Sequence, residues 1–285
     1  MKYFVFSDIH GNGEALYKGL EKAGYDPYNP EHRLISCGDN FGRCENYTIG
    51  SKEIYEYLTS DMHINKPICL RGNHEDILLK IEERNSITLT DIYNGEHKTL
   101  GAFAADNVDP NLFDKEIMAS QIKYDQHEAR LAIKEMREKG FFDWIKQMPF
   151  YFETEHYVFT HGFLPMKMVK AKDPYMFAVE YEYDKDWRNA DLEAWIDATW
   201  SDTQKLVDYY KGELNKTLVV GHFYSFFFNP NLNSEELMKT SELDDMTPFI
   251  KEGYFNIYKD KEKNIIFIDQ CMPISSNLDI LVVED

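Results

Sequence analysis

The first third of the chain alternates short apolar runs with amphipathic segments, and this alternation restricts the fold more than any other feature of the sequence. Strand-like and helix-like segments take turns at residues 2–6, 12–23, 33–37, 49–58, 67–70 and 73–81. Strands that are separated by helices pair in parallel, and the helices pack on the resulting sheet. The N-terminal region therefore predicts a parallel α/β sheet.

The rest of the chain is less regular. Residues 84–147 are polar and largely helical, with Glu/Lys and Glu/Arg spacings that stabilise helix surfaces. They predict a helical cap, residues 84–148, inserted into a single domain of residues 1–285; a plain helical layer of the same domain is the alternative. Further elements follow: strands at 150–162 and 217–222, a helical stretch at 191–210, a loop from 223 to about 248, and antiparallel strands turning at "KDKEKN".

Composition excludes several classes of partner. A formal net charge of -19 repels polyanions, so a nucleic-acid polymer is not an expected partner. The chain has no apolar run long enough to cross a bilayer, and its N-terminus looks like a first strand and not a signal peptide, so we expect a cytoplasmic protein without a membrane partner. Its four cysteines form no CxxC pair and predict buried free thiols. The sequence gives no indication of the oligomeric state.

Polar residues follow five of the predicted strands at the point where each strand ends. The five stretches are "SDIHGN" with Asp8 and His10, "GDNFGR" with Asp39 and Arg43, "RGNHE" with Asn73 and His74, "HGFLP" with His161, and "GH" with His222. Open α/β sheets bind ligands outside the carboxyl ends of their strands. A neighbouring glycine in each stretch lets the backbone turn sharply, so the polar side chains can converge.

The chemistry of these side chains points to metal. Two Asp, three His and one Asn offer hard oxygen and imidazole ligands without a thiolate, which suits Mn, Fe or Zn better than Ca. A carboxylate such as Asp39 has two oxygens and can bridge two cations, and a two-metal site can hold a water and clamp a phosphate. A single Asp at a strand exit is usually a helix cap, and a single His is usually a core group. Their joint occurrence at strand ends is what favours metal.

Five motifs in chain order resemble those of the calcineurin-like metallophosphoesterase superfamily. They are Asp8-x-His10, Gly38-Asp39, Gly72-Asn73-His74-Glu75, His161-Gly162 and Gly221-His222. The closer resemblance is to the phosphoprotein-phosphatase branch, which includes bacterial and phage serine/threonine phosphatases and symmetric dinucleoside tetraphosphatases. "RLISCGDNFGR", "ICLRGNHE", "TWSDT" and "IFIDQ…LDILVVED" extend the match over the whole chain except the cap and the 223–250 loop. The resemblance implies a four-layer αββα sandwich of two β-sheets that carries the helical cap.

The resemblance also implies a role for each motif residue. Two divalent metals are expected, with Mn first and Fe or Zn as alternatives. Asp8 and His10 would bind the first metal, Asp39 would bridge, and Asn73, His161 and His222 would complete the second. His74 would be the general acid, and Arg43 would hold the phosphate oxygens, as a planar guanidinium does well. The reaction would be direct attack on phosphorus by a hydroxide that bridges the metals.

One position departs from the family pattern. The branch usually reads GDxxDR, and its second Asp orients the catalytic His, but this chain has Gly42 there. Three explanations are open. Another acid could replace it, with Glu75 or a cap residue as candidates. His74 could act with a lower pKa and a slower rate, or the substrate could carry a leaving group that needs little protonation.

The resulting expectation is a metal-dependent phosphoester hydrolase that acts on a phosphorylated substrate. A phosphomonoesterase similar to serine/threonine protein phosphatases comes first, a hydrolase of dinucleoside polyphosphates second and a phosphodiesterase third. The alternative of another class is a metal-binding pseudoenzyme that recognises phosphorylated partners. Arg188 is a candidate second phosphate clamp, and Phe226–Phe228 are expected to anchor a loop and not to form a substrate platform.

Overall fold

Two β-sheets lie face to face between layers of helices in the computed structural model. The structure describes residues 1–43, 50–104, 126–169, 180–228, 256–272 and 278–285, together with positions 106, 113–114 and 116–118. The strands are β1 (Lys2–Phe6), β2 (His32–Ser36), β3 (Ile68–Cys69), β4 (Tyr151–Glu153), β5 (Tyr157–Thr160), β6 (Met166–Val169), β7 (Glu180–Tyr183), β8 (Thr217–Tyr224), β9 (Tyr258–Asp260), β10 (Ile265–Asp269) and β11 (Leu281–Glu284). The α-helices are α1 (Gly13–Ala23), α2 (Gly50–Thr59), α3 (Asn73–Arg84), α4 (Leu89–Tyr93), α5 (Glu96–Ala104), α6 (His127–Glu138), α7 (Phe141–Lys146), α8 (Leu192–Trp200) and α9 (Thr203–Tyr209).

The first sheet has the strand order β11-β1-β2-β3, and the second has the order β4-β5-β8-β10-β9. Strands β1, β2 and β3 run parallel, as the alternation in the sequence predicted. In the second sheet β5, β8 and β10 are parallel, while β4 and β9 are antiparallel edge strands. The predicted hairpin at 150–162 and the turn at "KDKEKN" are therefore confirmed.

The C-terminal strand departs from the predicted antiparallel series. β11 leaves the second sheet and pairs antiparallel with β1 in the first, with Val283 opposite Tyr3. Its alternate residues Leu281 and Val283 are buried and join the core between the sheets. Apolar residues at every second position identify a strand, but they do not identify the sheet that the strand joins. That choice depends on which sheet edge is free when the chain reaches it.

The side chains of β1 show how the layers are built. Tyr3 and Val5 pack between the sheets against residues of the second sheet such as Phe159. Phe4 and Phe6 point the other way, into the core under the helices of the first sheet. A third core lies under α8 and α9 on the outer face of the second sheet. The two sheets and two helical layers confirm the predicted αββα sandwich.

The helical segment that begins at residue 84 packs into the core of the first helical layer. Leu100 and Phe103 of α5, Ile133 of α6 and Phe141 of α7 are fully buried in the same cluster as Phe4. The limits of an inserted cap at 84–148 stay a prediction, and most of residues 105–125 lie outside the described part of the chain.

Strand β8 runs two residues further than predicted, to Tyr224, because it continues to pair with β10 through a register shift near Asp269. A short 3-10 helix follows at Ser225–Phe228. Phe226 is buried there and Phe228 stacks on Phe267 with 3.7 Å between ring centroids, which agrees with the predicted anchoring for these two residues. Phe227 departs from the prediction because its side chain lines the cavity between the sheets. The remainder of the predicted loop, 229–250, lies outside the described residues.

Two further expectations bear on the whole chain. Cys37, Cys69 and Cys271 are free and buried, as predicted, while Cys44 is outside the described residues. Among the described residues, no helix has the length and apolar character needed to span a bilayer.

Candidate metal centre

The strand-end residues of both sheets surround one cavity of about 340 Å³. Its walls are formed by Asp8, His10, Asp39, Arg43, Asn73, His222, Phe223, Tyr224, Phe227 and Asp269. His74 and His161, 1% and 0% exposed, adjoin it through Asp39. The structure thus brings together all eight residues that the sequence singled out, from strands of both sheets.

Asp39 lies at the centre of this arrangement. Ligand atoms of His10, Asp39 and His74 lie within 4.8 Å of one another, and so do those of Asp39, His161 and His222. Asp39 is therefore the carboxylate common to two groups of possible metal ligands. Its backbone position is held by Glu75, which accepts a hydrogen bond of 2.9 Å from the Asp39 amide.

Backbone carbonyls orient two of the imidazoles. Nδ1 of His161 donates to the Cys37 carbonyl at 2.8 Å, and Nδ1 of His10 donates to the Phe41 carbonyl at 3.1 Å. A proton held on Nδ1 leaves Nε2 as a bare acceptor, which is how metal-binding histidines are prepared. Nε2 of His161 then faces two more oxygen acceptors, Oδ1 of Asn73 at 2.9 Å and Oδ1 of Asp39 at 3.4 Å. Three facing acceptors fit a cation between them.

The electrostatics of the buried acids agree with this fit. Burial raises the pKa of Asp8, and burial together with the charge of Asp8 raises the pKa values of Asp39 and Asp269. Asp8 and Asp39 form no ion pair with lysine or arginine in the part of the chain that the structure describes. Clustered buried carboxylates are expensive unless a cation neutralises them, so this donor set suits divalent metal.

The histidines are suited to the same task. Burial lowers the pKa of His10 to about 3 and that of His222 to about 2, which keeps both rings neutral. A neutral imidazole offers the lone pair that a metal requires. The chain therefore presents neutral nitrogen donors and anionic oxygen donors at one point.

The backbone of the site is strained. Among the described non-glycine residues eight have positive φ, and five of these are Asp8, His10, Asp39, Arg43 and His222. Such φ values are uncommon outside glycine and concentrate where the surrounding structure holds functional side chains in place. The hydrogen bond from the His222 amide to Oδ2 of Asp8, at 2.9 Å, links two of these strained turns.

The carboxylate partner of His74 comes from a distant part of the chain. Nδ1 of His74 lies 2.5 Å from Oε1 of Glu96, the first residue of α5, and both side chains are buried. Glu75, the neighbour of His74, instead accepts hydrogen bonds from the amides of Asn40 and Gly72, each at 2.9 Å. Two kinds of acid were considered as replacements for the missing second Asp of GDxxDR, namely Glu75 and a residue of the predicted cap. The acid that contacts His74 is Glu96, which lies within the segment predicted as the cap.

Two acidic residues of the site, Asp269 and Glu96, were missed in the sequence, as were the cavity-lining rings of Phe223 and Tyr224, and one predicted clamp lies elsewhere. Asp269 ends β10 just as other site residues end their strands, so the strand-end pattern could have found it. Glu96 had no such signal, since it opens an ordinary amphipathic helix. Arg188 forms a two-pronged ion pair with Glu153, at 2.8 and 2.6 Å, and does not line the cavity.

Comparisons with solved structures find similar proteins at low identity. A Saccharomyces cerevisiae serine/threonine phosphatase with similarity to human phosphatase PP5 aligns at 15% identity and a TM-score of 0.49, over 99% of this chain and 72% of that one. A candidate diadenosine tetraphosphatase aligns at 10% identity and 0.44, over 99% and 92%. The cold-active protein-tyrosine phosphatase of a Shewanella species aligns at 14% identity and 0.44, over 100% and 75%.

The assignment rests on the family model. No curated protein matches the chain significantly. The model of the calcineurin-like phosphoesterases matches residues 1–246, which include all the strand-end motifs named above. The chain therefore belongs to the calcineurin-like phosphoesterase family, whose members are metal-dependent hydrolases of phosphoesters.

Proposed function

We propose that this protein is a phosphomonoesterase in which Asp8, His10, Asp39, Asn73, His161 and His222 hold two divalent ions, Mn before Fe or Zn. The single observation that carries the proposal is that the Asp39 carboxylate converges within 4.8 Å with a ring nitrogen of His10 in one group and with those of His161 and His222 in another. His74, the third member of the first group, is assigned to proton transfer instead. One carboxylate shared by two donor groups is the arrangement that a two-metal phosphoesterase needs.

Arg43 and His74, which lie beside the proposed metal ligands, are assigned phosphate binding and proton donation. When bound, the metals activate a water and neutralise the phosphoryl oxygens. Arg43 is exposed at the cavity wall, where its guanidinium can hold two phosphoryl oxygens of an entering substrate. His74 is oriented by Glu96 and lies with Nε2 3.8 Å from Oδ2 of Asp39. From there it can give a proton to the leaving oxygen.

A second candidate function is favoured by the aromatic wall of the cavity. Phe223, Tyr224 and Phe227 line it beside the proposed metal ligands, and the rings of Tyr224 and Phe227 lie 5.9 Å apart at an angle of 12°. Aromatic side chains of this kind bind flat groups by stacking. A nucleotide or dinucleoside polyphosphate is therefore the alternative substrate, and a phosphoprotein is the leading one.

Two wider features belong to the same proposal. We place the whole activity in one domain, residues 1–285, with 84–148 as its helical cap, and in the cytoplasm. An overall charge of -19 is compatible with a small phosphorylated substrate because the local field of bound metals dominates within the site.

The test is a grid of metals and substrates. Protein freed of metal with a chelator is reloaded with Mn, Fe, Zn, Ni or Mg and assayed on p-nitrophenyl phosphate, bis-p-nitrophenyl phosphate, a phosphopeptide and diadenosine tetraphosphate. Release of phosphate from the monoesters, with no release of p-nitrophenol from the bis ester, supports the proposal. Preference for diadenosine tetraphosphate selects the alternative, and preference for the bis ester selects a phosphodiesterase.

If none of the substrates is hydrolysed with any metal although two metals remain bound, the proposal is overturned and the protein is a metal-binding pseudoenzyme. Metal content is therefore measured on every sample. A Glu182→Gln variant serves as the matched control, since Glu182 lies at an exposed position of β7 and does not line the cavity. It should behave like the unaltered protein throughout.

A further inference from the structure

Glu96 is a buried acid with an unusual set of contacts. Its side chain is fully buried, and its Oε1 lies 2.5 Å from Nδ1 of His74. Its other oxygen, Oε2, is buried without a hydrogen-bond partner among the described residues. A buried carboxyl oxygen without a partner destabilises the folded chain. The contact of Glu96 with His74 is therefore not explained by a contribution to stability.

The space that Glu96 uses is created by Gly42. A Cβ atom at position 42 would lie 2.5 Å from Nδ1 of His74 and 2.8 Å from Oε1 of Glu96. No side chain at 42 can coexist with the present His74–Glu96 contact unless one of the two moves. The contact between Glu96 and His74 therefore depends on the absence of a side chain at position 42.

Helix α5 and the turn before it contact the same loop at two further points. Oγ1 of Thr99 accepts a hydrogen bond of 2.9 Å from the amide of Gly42. Gly95 packs so closely on Arg43 that a Cβ at position 95 would lie 2.3 Å from the Arg43 amide nitrogen. Gly95 also has a φ of +87°, a conformation that only glycine adopts easily. Residues 95–99 thus hold the loop that carries Arg43 and the ring of His74.

We propose that Glu96 is a positioning residue for His74 and that residues 95–99 of the helical segment thereby form part of the catalytic site. A proton shared between Oε1 and Nδ1 fixes the orientation of the ring and leaves Nε2 directed at Asp39 and the cavity. This inference rests on the proposed function of His74 as the acid that protonates the leaving oxygen.

The kinetic test compares two leaving groups in four proteins: the unaltered chain, Glu96→Ala, Glu96→Gln and Gly42→Ala. With the same metal loaded, Glu96→Ala should lower kcat for an alkyl phosphate about tenfold more than kcat for p-nitrophenyl phosphate, whose leaving group needs little protonation. KM and metal content should stay within about twofold. Glu96→Gln keeps the size and an oxygen that can accept from Nδ1, so it should recover part of the loss. Gly42→Ala should show the same dependence on the leaving group, because a Cβ there displaces the pair, and it should also lower thermal stability because Gly42 has a φ of +75°.

The matched control is Ile133→Ala. Ile133 of α6 is fully buried in the core of the helical segment and carries no charge that could act on Glu96. If any loosening of this segment were enough, Ile133→Ala would change the ratio of the two rates as Glu96→Ala does. We expect it to lower thermal stability and to leave that ratio unchanged.

A spectroscopic measurement tests the contact without turnover. In Zn-loaded protein labelled with ¹⁵N-histidine, the His74 Nδ1–H proton should resonate far downfield and should disappear or shift strongly in Glu96→Ala. An unchanged His74 signal, or equal slowing of both substrates in Glu96→Ala, would overturn the inference. Failure of the proposed function is recognised separately: unaltered protein would turn over neither substrate, or His74→Asn would slow both equally.

Discussion

Nε2 of His161 lies 3.4 Å from Oδ1 of Asp39, across the junction between the two β-sheets. Asp39 follows β2 of the first sheet, and His161 follows β5 of the second. Neither sheet therefore presents a complete set of donors, and the site exists only when the sheets pack face to face. Packing of the two sheets across the buried layer that includes Val5 and Val219 therefore stabilises the fold and also brings the two sets of donor residues together.

Replacement of the shared carboxylate should remove metal. Asp39→Asn keeps the shape of the side chain but loses the charge that both donor groups share, so we expect at least one of the two proposed ions to be lost from each chain. Elemental analysis after chelation, reloading and dialysis measures this directly. Full retention of both ions in Asp39→Asn would contradict the bridging role, and Glu182→Gln should retain them.

Loss of the proposed general acid should depend on the leaving group. His74→Asn should lower kcat for alkyl phosphates by about 10²-fold or more, because an alkoxide leaves poorly without a proton. The loss should be much smaller for p-nitrophenyl phosphate, whose anion is stable. Steady-state kinetics on both substrates provides the comparison, and equal losses would refute the role of His74.

The aromatic wall should affect flat substrates selectively. Phe223→Ala removes a ring that lines the cavity beside His222, with 5.5 Å between the two ring centroids. We expect KM for diadenosine tetraphosphate or an aryl phosphate to rise roughly five- to tenfold, which corresponds to about 1 kcal/mol of lost stacking. KM for O-phosphoserine should change little. A Tyr28→Ala variant, which removes an exposed ring outside the cavity lining, is the control.

The ion pair of Arg188 should contribute to stability with a defined dependence on pH. Hydrogen bonds from Arg188 and, to a smaller extent, from Lys216 lower the pKa of Glu153 to about 2 from an ordinary value of 4.5. A carboxyl group with a lowered pKa in the folded state stabilises it above the ordinary value and loses that effect as pH falls towards the lowered one. Glu153→Gln should thus reduce the free energy of unfolding at pH 7 by roughly 1 kcal/mol.

The difference between Glu153→Gln and the unaltered protein should narrow below about pH 4.5 and nearly vanish towards pH 2. Urea denaturation followed at several pH values measures it. A difference that stays constant from pH 7 to pH 3 would show that the carboxylate charge is not responsible. Glu182→Gln, at an exposed position of β7, should have little effect at either pH.

The parallel α/β sheet and the convergence of strand-end residues could be predicted because both follow from local patterns, whereas the αββα sandwich was expected from the resemblance of the motifs to a known family. Apolar alternation marks each strand, and a polar residue with an adjacent glycine marks its end, so Asp8, Asp39 and His161 stand out without any knowledge of tertiary contacts. The parallel pairing of β1 with β2 then places their carboxyl ends at one edge. The types and order of these residues were therefore enough to predict a metal-binding site.

The partner of His74 could not be found in this way. Glu75 was the neighbour in sequence, yet its carboxylate turns to the amides of Asp39 and Gly72, while Glu96 arrives from another helix. Arg188 likewise followed the expected order along the chain but pairs with Glu153.

The sequence by itself determined the strands, their polar ends and the donor types, because these depend on neighbouring residues and on side-chain chemistry. The tertiary structure alone decided which acid faces His74, which sheet receives β11 and which aromatic rings line the cavity. Those choices depend on which of several similar side chains reaches a given point when the layers pack, and the space left by Gly42 acquires its meaning only when Glu96 lies beside it.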